Sequence, residues 1–96
     1  MMITDAMVKE LEQVQEHVGD TTPCSLIVWN DEINTFDWVI QSLVEICGHT
    51  IDQAEQCTMI IHLKGKYAVK KGPRFKMEPM REGLSDRGIG ATVEEA

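Results

Sequence analysis

The chain has 96 residues, 43% of them apolar and 26% charged, enough for one small domain with a single core and too few for two. A formal net charge of −7 argues against any general affinity for nucleic acid, which needs clustered Lys and Arg. No window approaches the run of about 18 apolar residues that a membrane span needs, and Cys24, Cys47 and Cys57 lack the spacing of a disulfide framework or a zinc ribbon, so we expect a soluble cytoplasmic protein without metal or cofactor.

Met7, Leu11, Val14 and Val18 fall on one helical stripe that Thr4 could cap and Gly19 could stop. Residues 1–22 therefore read as a mobile or helical N-terminal extension, joined through Gly19 to Pro23 to a domain over residues 23–96. Cys24 to Asn30 reads as a buried strand, with β-branched Ile27 and Val28 before the aromatic Trp29. This strand runs straight into Asn30, Asp31 and Glu32, which places acceptors with almost no donors at the lip of a hydrophobic sheet. Such a lip suits a ligand that is cationic at one end and apolar at the other, although a strand followed by Asn-Asp is also ordinary turn chemistry.

Asn34 or Thr35 can cap a helix whose apolar face is Phe36, Val39, Ile40, Leu43, Ile46 and Cys47, ended by Gly48. Thr50-Ile51-Asp52-Gln53 has the form of a capping box and opens a second helix, on which Ala54, Thr58, Ile61 and His62 share a face and Gly65 supplies the stop. Lys66 to Lys71 reads as a strand turned by Gly72-Pro73. Pro79 suits the first turn of a third helix running to about Arg87, with a start near Arg74 and a kink at Pro79 as the alternative. Ala91 to Glu94 closes the chain as a short strand. Lys64, Lys66, Lys70, Lys71, Arg74 and Lys76 form a basic cluster that could steer an acidic partner or simply solvate a hairpin rim.

The order is β-α-α-β-α-β. Three short strands cannot bury both faces of a sheet in so small a chain, so the expected architecture is α+β: a two-layer sandwich, a three-stranded antiparallel sheet with its helices on one face.

Asn30-Asp31-Glu32, the helix from Phe36, and His62-Leu63-Lys64-Gly65-Lys66 together resemble the ClpS adaptors of bacterial Clp proteases. The family's marks are an Asn-Asp-Asp/Glu loop after the first strand and a His-aromatic-x-Gly-Lys end to the second helix. Residues 24–66 match in order and spacing, and Thr92-Val93-Glu94 echoes the family's last strand. The resemblance implies a non-enzymatic adaptor that captures proteins by a free α-amino group and a bulky hydrophobic first side chain (an N-degron), and delivers them to the N-terminal domain of a Clp AAA+ unfoldase. By that resemblance Asn30, Glu32 and His62 would contact the amine, with Asp31 in the same amine-binding set reinforcing its negative potential, and Asn34, Thr35, Phe36, Val39, Thr58, Ile61 and Ile89 would wall the pocket. The chain departs from the family in Asn34-Thr35 for the usual Thr-Pro and in Phe36 and Thr58 where methionine is common, which implies an altered choice of first residue. The alternative is an interaction module of the same fold without N-degron recognition. An enzyme fits least, since no nucleophile is paired with a base at a recognisable spacing.

Overall fold

Alternation along Pro23–Trp29 (β1) sends Cys24, Leu26 and Val28 into the core and leaves Ser25, Ile27 and Trp29 on the opposite face, the pattern of a strand covered on one side. The computed structural model describes residues 19–96, so the helix expected over residues 4–18 lies outside the described residues. β1 is the middle strand. Lys66–Pro73 (β2) and Ala91–Glu95 (β3) pair with it antiparallel on either side, in the order β2-β1-β3. Helices Phe36–Cys47 (α1), Ile51–Lys64 (α2) and Arg74–Asp86 (α3) complete the expected order on one face of the sheet. Leu26, Leu43, Met77, Leu84 and Ile89 fill the space between the layers, each such burial being worth roughly 1.5–3 kcal/mol.

The helix ends follow from local chemistry. Thr35 Oγ1 accepts the Trp38 N–H at 3.1 Å, and Gly48 closes α1 in the left-handed region at φ 71°. At the head of α2, Gln53 N–H donates to Thr50 Oγ1 at 3.2 Å and Thr50 N–H to Gln53 Oε1 at 3.0 Å, a complete capping box. Thr50→Ala is expected to lower the unfolding free energy by about 1 kcal/mol in urea titration; an unchanged midpoint would show that tertiary packing alone fixes this helix end.

Two expectations are corrected in the second half. Gly72 and Pro73 do not make a turn: β2 continues through Pro73, opposite Pro23, and α3 begins at once with Arg74. Pro73 stands at the N-cap with extended backbone, and the Arg74 N–H reaches the Thr22 carbonyl at 2.9 Å. Gly72 packs closely against α3, since a Cβ there would meet Met77 Cε at 3.1 Å and the methionine would have to shift by a few tenths of an ångström. The helix takes the alternative start at Arg74, so Pro79 lies inside α3 rather than in its first turn, tolerated on the solvent-exposed side, where water can meet the carbonyl that its missing N–H leaves free.

The basic cluster is dispersed and sits on no hairpin, because β2 pairs with β1 across two intervening helices. Lys70 Nζ donates to the Cys47 carbonyl at 2.7 Å, and Arg74 is held by Asp20 at 3.1 Å and Glu95 at 2.9 Å. Lys66 lies over the Trp29 ring, 4.7 Å from its centroid.

Candidate functional site

A cavity of about 290 Å³ opens where β1 leaves the sheet, between α1, α2 and the segment before β3. It brings together every residue singled out from the sequence: Asn30, Asp31, Glu32 and His62, with Asn34, Thr35, Phe36, Val39, Thr58, Ile61 and Ile89. Val28 and Trp29 line it as well and were missed. The signal for Val28 lay in the strand's alternation, which turns it to the same face as Cys24 and Leu26.

The floor is rigid and mostly apolar. Val28 on β1, Thr58 and Ile61 on α2, and Ile89 on the loop after α3 are all nearly inaccessible. The Thr58 hydroxyl donates to the Ala54 carbonyl at 2.7 Å, so at the cavity it can only accept. The rim is polar and is tied to helix ends. Asn30 N–H donates to the carbonyl of Gly65, the left-handed cap of α2, at 2.8 Å, which sets Asn30 beside the helix turn that carries His62. Thr35 caps α1 and thereby places Phe36 across the opening, where its ring meets the His62 imidazole edge-to-face at 5.2 Å between centroids. Such aromatic pairs are worth about 0.5–1.5 kcal/mol beyond their buried area, yet Phe36 stays 40% exposed.

Asp31 and Asn34 organise the loop between β1 and α1. The Asp31 carboxylate accepts the N–H groups of Ile33 at 2.9 Å and Asn34 at 2.7 Å and the Asn34 side-chain amide at 2.7 Å. The remaining Asn34 amide hydrogen is donated to the Gly88 carbonyl at 2.9 Å. Asp31 therefore spends its oxygens on its own loop, and its place at the rim is that of an organiser carrying a charge. The Asn34 backbone N–H holds the Asp31 carboxyl below its ordinary range, against the opposing effect of burial. Asp20 and Glu45 are lowered too, first by hydrogen bonds from Thr22 and Arg87 respectively. A carboxyl with a lower pKa folded than unfolded adds stability above the unfolded value, and this is lost as pH falls through the folded one. The melting temperature is accordingly expected to hold from neutrality to about pH 5 and to drop below about pH 4, as circular dichroism would show; a flat profile down to pH 3 would contradict these assignments.

A second group fixes the opposite wall. Trp38 Nε1 donates to the Arg87 carbonyl at 3.1 Å, Arg87 Nη1 donates to Glu45 at 3.0 Å, and the guanidinium lies 5.3 Å from the Trp38 ring centroid. These bonds clamp the end of α3 onto α1 and so hold Gly88 and Ile89 against the cavity.

Both a helix N-terminus, at Thr35, and a helix C-terminus, at Gly65, face this site, and their partial charges oppose one another. The sign of the rim is thus set by Asp31 and Glu32. An apolar hole beneath an acceptor-rich, negative rim can hold a cation that carries a hydrophobic group. Among the described residues no three His, Cys, Asp or Glu side chains converge as metal ligands, and His49 instead directs Nε2 at the Val69 carbonyl, 2.8 Å away. Burial pushes the Cys47 thiol up to about 11, which keeps it protonated and unreactive. No helix among the described residues is long and apolar enough to cross a membrane.

Comparison with known proteins gives a consistent result. The family model for the ATP-dependent Clp protease adaptor protein ClpS matches residues 20–90. The chain is 30% identical over 87 residues to the ATP-dependent Clp protease adapter protein ClpS of Corynebacterium aurimucosum, covering 91% of this chain and 78% of that one. To the protein of the same name from Corynebacterium diphtheriae it is 29% identical, with 98% and 82% covered, and to that from Rhodococcus opacus 28% identical, with 88% and 76% covered. Among solved structures, Agrobacterium tumefaciens ClpS2 bound to L-phenylalaninamide superposes with a TM-score of 0.70 at 17% identity, covering 79% of this chain and 99% of that one. At that identity the superposition establishes the shared fold.

Proposed function

The chain belongs to the ClpS family of ATP-dependent Clp protease adaptors, and from that premise we propose that it binds proteins by a free N-terminal amine and a bulky hydrophobic first side chain and delivers them to the N-terminal domain of a Clp AAA+ unfoldase. The observation that carries this reading is the convergence of Asn30, Glu32 and His62 with an apolar floor in one cavity. An α-ammonium has three donors and a pKa of about 8, and an amide oxygen, a carboxylate and an imidazole nitrogen offer three acceptors. The floor takes the side chain. Burying a Leu or Phe side chain gains about 1.5–3 kcal/mol, comparable with the amine contacts, so neither half suffices alone. The relative that superposes on this chain holds L-phenylalaninamide, an ammonium on an aromatic side chain, which supports the same class of ligand here.

In this reading the adaptor works in the cytoplasm, residues 23–96 form the binding domain, and residues 1–22 are an extension whose last residues, Asp20 and Thr22, bond to the start of α3. It performs no chemistry on its cargo. Calorimetry with a Leu-first or Phe-first peptide and its N-acetylated twin tests the proposal. Acetylation removes the charge and two donors and is expected to weaken binding by about ten- to a hundredfold. Equal affinity for both forms would leave an interaction module of this fold without N-degron recognition.

A further inference from the structure

We propose that Asn34 is a positioning residue that fixes the distance between the amine-binding rim and the side-chain pocket, so that one ligand can engage both at once. This inference rests on the function proposed above. The rim loop and one wall of the pocket reach the cavity on separate stretches of chain: Asn30 to Asn34 on the loop leaving β1, and Ile89 on the loop leaving α3, whereas Thr58, Ile61 and His62 share α2. Those stretches lie more than fifty residues apart in sequence, and the Asn34 amide bridges them. One hydrogen goes to Asp31 Oδ2 at 2.7 Å and the other to the Gly88 carbonyl at 2.9 Å. Gly88 is itself set by the left-handed turn that ends α3, with φ 79° and its N–H on the Ser85 carbonyl at 3.0 Å, and Ile89, only 2% exposed, follows it directly. Asn34 therefore joins the residue before the pocket wall to the carboxylate that folds the rim loop.

Only an amide does this. Asp31 Oδ2 and the Gly88 carbonyl are both acceptors, so the bridge needs two donors on one short side chain; a hydroxyl has one and a carboxylate has none. A ligand that fills both halves of the site benefits from walls already at the right separation, because loosening them adds an ordering cost to the bound state. A ligand that touches a single wall is indifferent to that separation. Asn34 lines the cavity, but both its amide hydrogens are committed to Asp31 and Gly88, so it acts on the joint recognition through the separation it sets.

The test titrates wild type, Asn34→Ala and the near-isosteric, uncharged Asn34→Leu by NMR with three peptides: a Leu-first peptide that uses both walls, its N-acetylated twin that uses the pocket alone, and an Ala-first peptide that uses chiefly the rim. Both variants keep the backbone N–H bonds from residues 33 and 34 to Asp31, and amide spectra report their folding. The expected result is a loss of about tenfold for the Leu-first peptide, several times larger than the loss for either single-wall ligand. A uniform loss across all three peptides in a folded variant would make Asn34 an ordinary structural residue and overturn the proposal, as would wild-type affinity in Asn34→Leu. If wild type itself binds the free and acetylated Leu peptides equally, the function proposed above fails first and takes this inference with it, a result distinguishable because it appears before any substitution is made.

Discussion

Replacing His62 by alanine is expected to weaken binding of a Leu-first peptide by about ten- to a hundredfold while costing less than about 1 kcal/mol of stability. His62 sits in the last turn of α2, mostly open to solvent, and lines the cavity beside Asn30. Hydrogen bonds to a charged group are worth about 1.5–3 kcal/mol each, and on the proposed function the imidazole is one of three acceptors for the ammonium. Its loss also frees Phe36, whose ring meets the imidazole edge-to-face across the cavity mouth. Phe36→Leu serves as the companion variant: it keeps apolar bulk and His62 but removes the aromatic pair, so its loss should be no more than about tenfold. Calorimetry on both variants, with urea titration to establish folding, separates the contributions. Unaltered affinity in His62→Ala would exclude the imidazole from amine recognition and assign the site's selectivity to Asn30, Glu32 and the floor.

The parts of this molecule legible in the sequence are those whose causes are local. The Thr50 and Gln53 box, the Thr35 cap and the left-handed glycines 48 and 65 each depend on residues within four positions, and the structure shows them as read. Alternation in β1 and the helical spacing of Ala54, Thr58 and Ile61 likewise identify inward faces, and so the floor. Where two local rules competed, the reading failed. Gly72-Pro73 carries the composition of a turn, yet strand pairing with Cys24 and Pro23 and the seat of Met77 against Gly72 prevail. Pro79 has the preference of a first-turn residue, but Pro73 already starts the helix six residues earlier.

Long-range geometry was legible only through the family resemblance. Nothing within the loop marks Asn34 as the partner of Gly88, or Arg87 as the clamp on Trp38 and Glu45, because each pair forms only when α3 is folded against α1. Resemblance also placed Asp31 in the amine-binding set, as a reinforcement of its negative potential, and Asn34 in the wall. The hydrogen bonds divide these residues differently: Asp31 and Asn34 are committed to the loop and its bridge, whereas the carboxylate of Glu32 has no hydrogen-bond partner among the described residues. Glu32 is exposed at the rim and so remains available to a cation.

That division predicts a difference between two carboxylates adjacent in sequence. Asp31→Ala strips the acceptor from three N–H groups, those of the Ile33 and Asn34 backbone and the Asn34 side chain. An Asx-type turn of this kind is worth about 0.5–2 kcal/mol to the folded state, and this much should disappear from the unfolding free energy. Binding should suffer more than stability does. With the turn gone, ligand binding must order the loop afresh at roughly 1–2 kcal/mol per residue fixed, so a loss on the order of a hundredfold is expected. Glu32→Gln keeps the loop intact and the side-chain volume unchanged; it should leave the urea midpoint where it is and reduce affinity for a free amine by about tenfold through lost charge. On the proposed function the reason for the difference is structural: one carboxylate acts on the ligand by way of the backbone it folds, and the other acts directly, as a charged acceptor. Calorimetry and urea titration on the two variants decide the matter, since equal losses of affinity with equal, unchanged stability would give Asp31 a direct role beside Glu32.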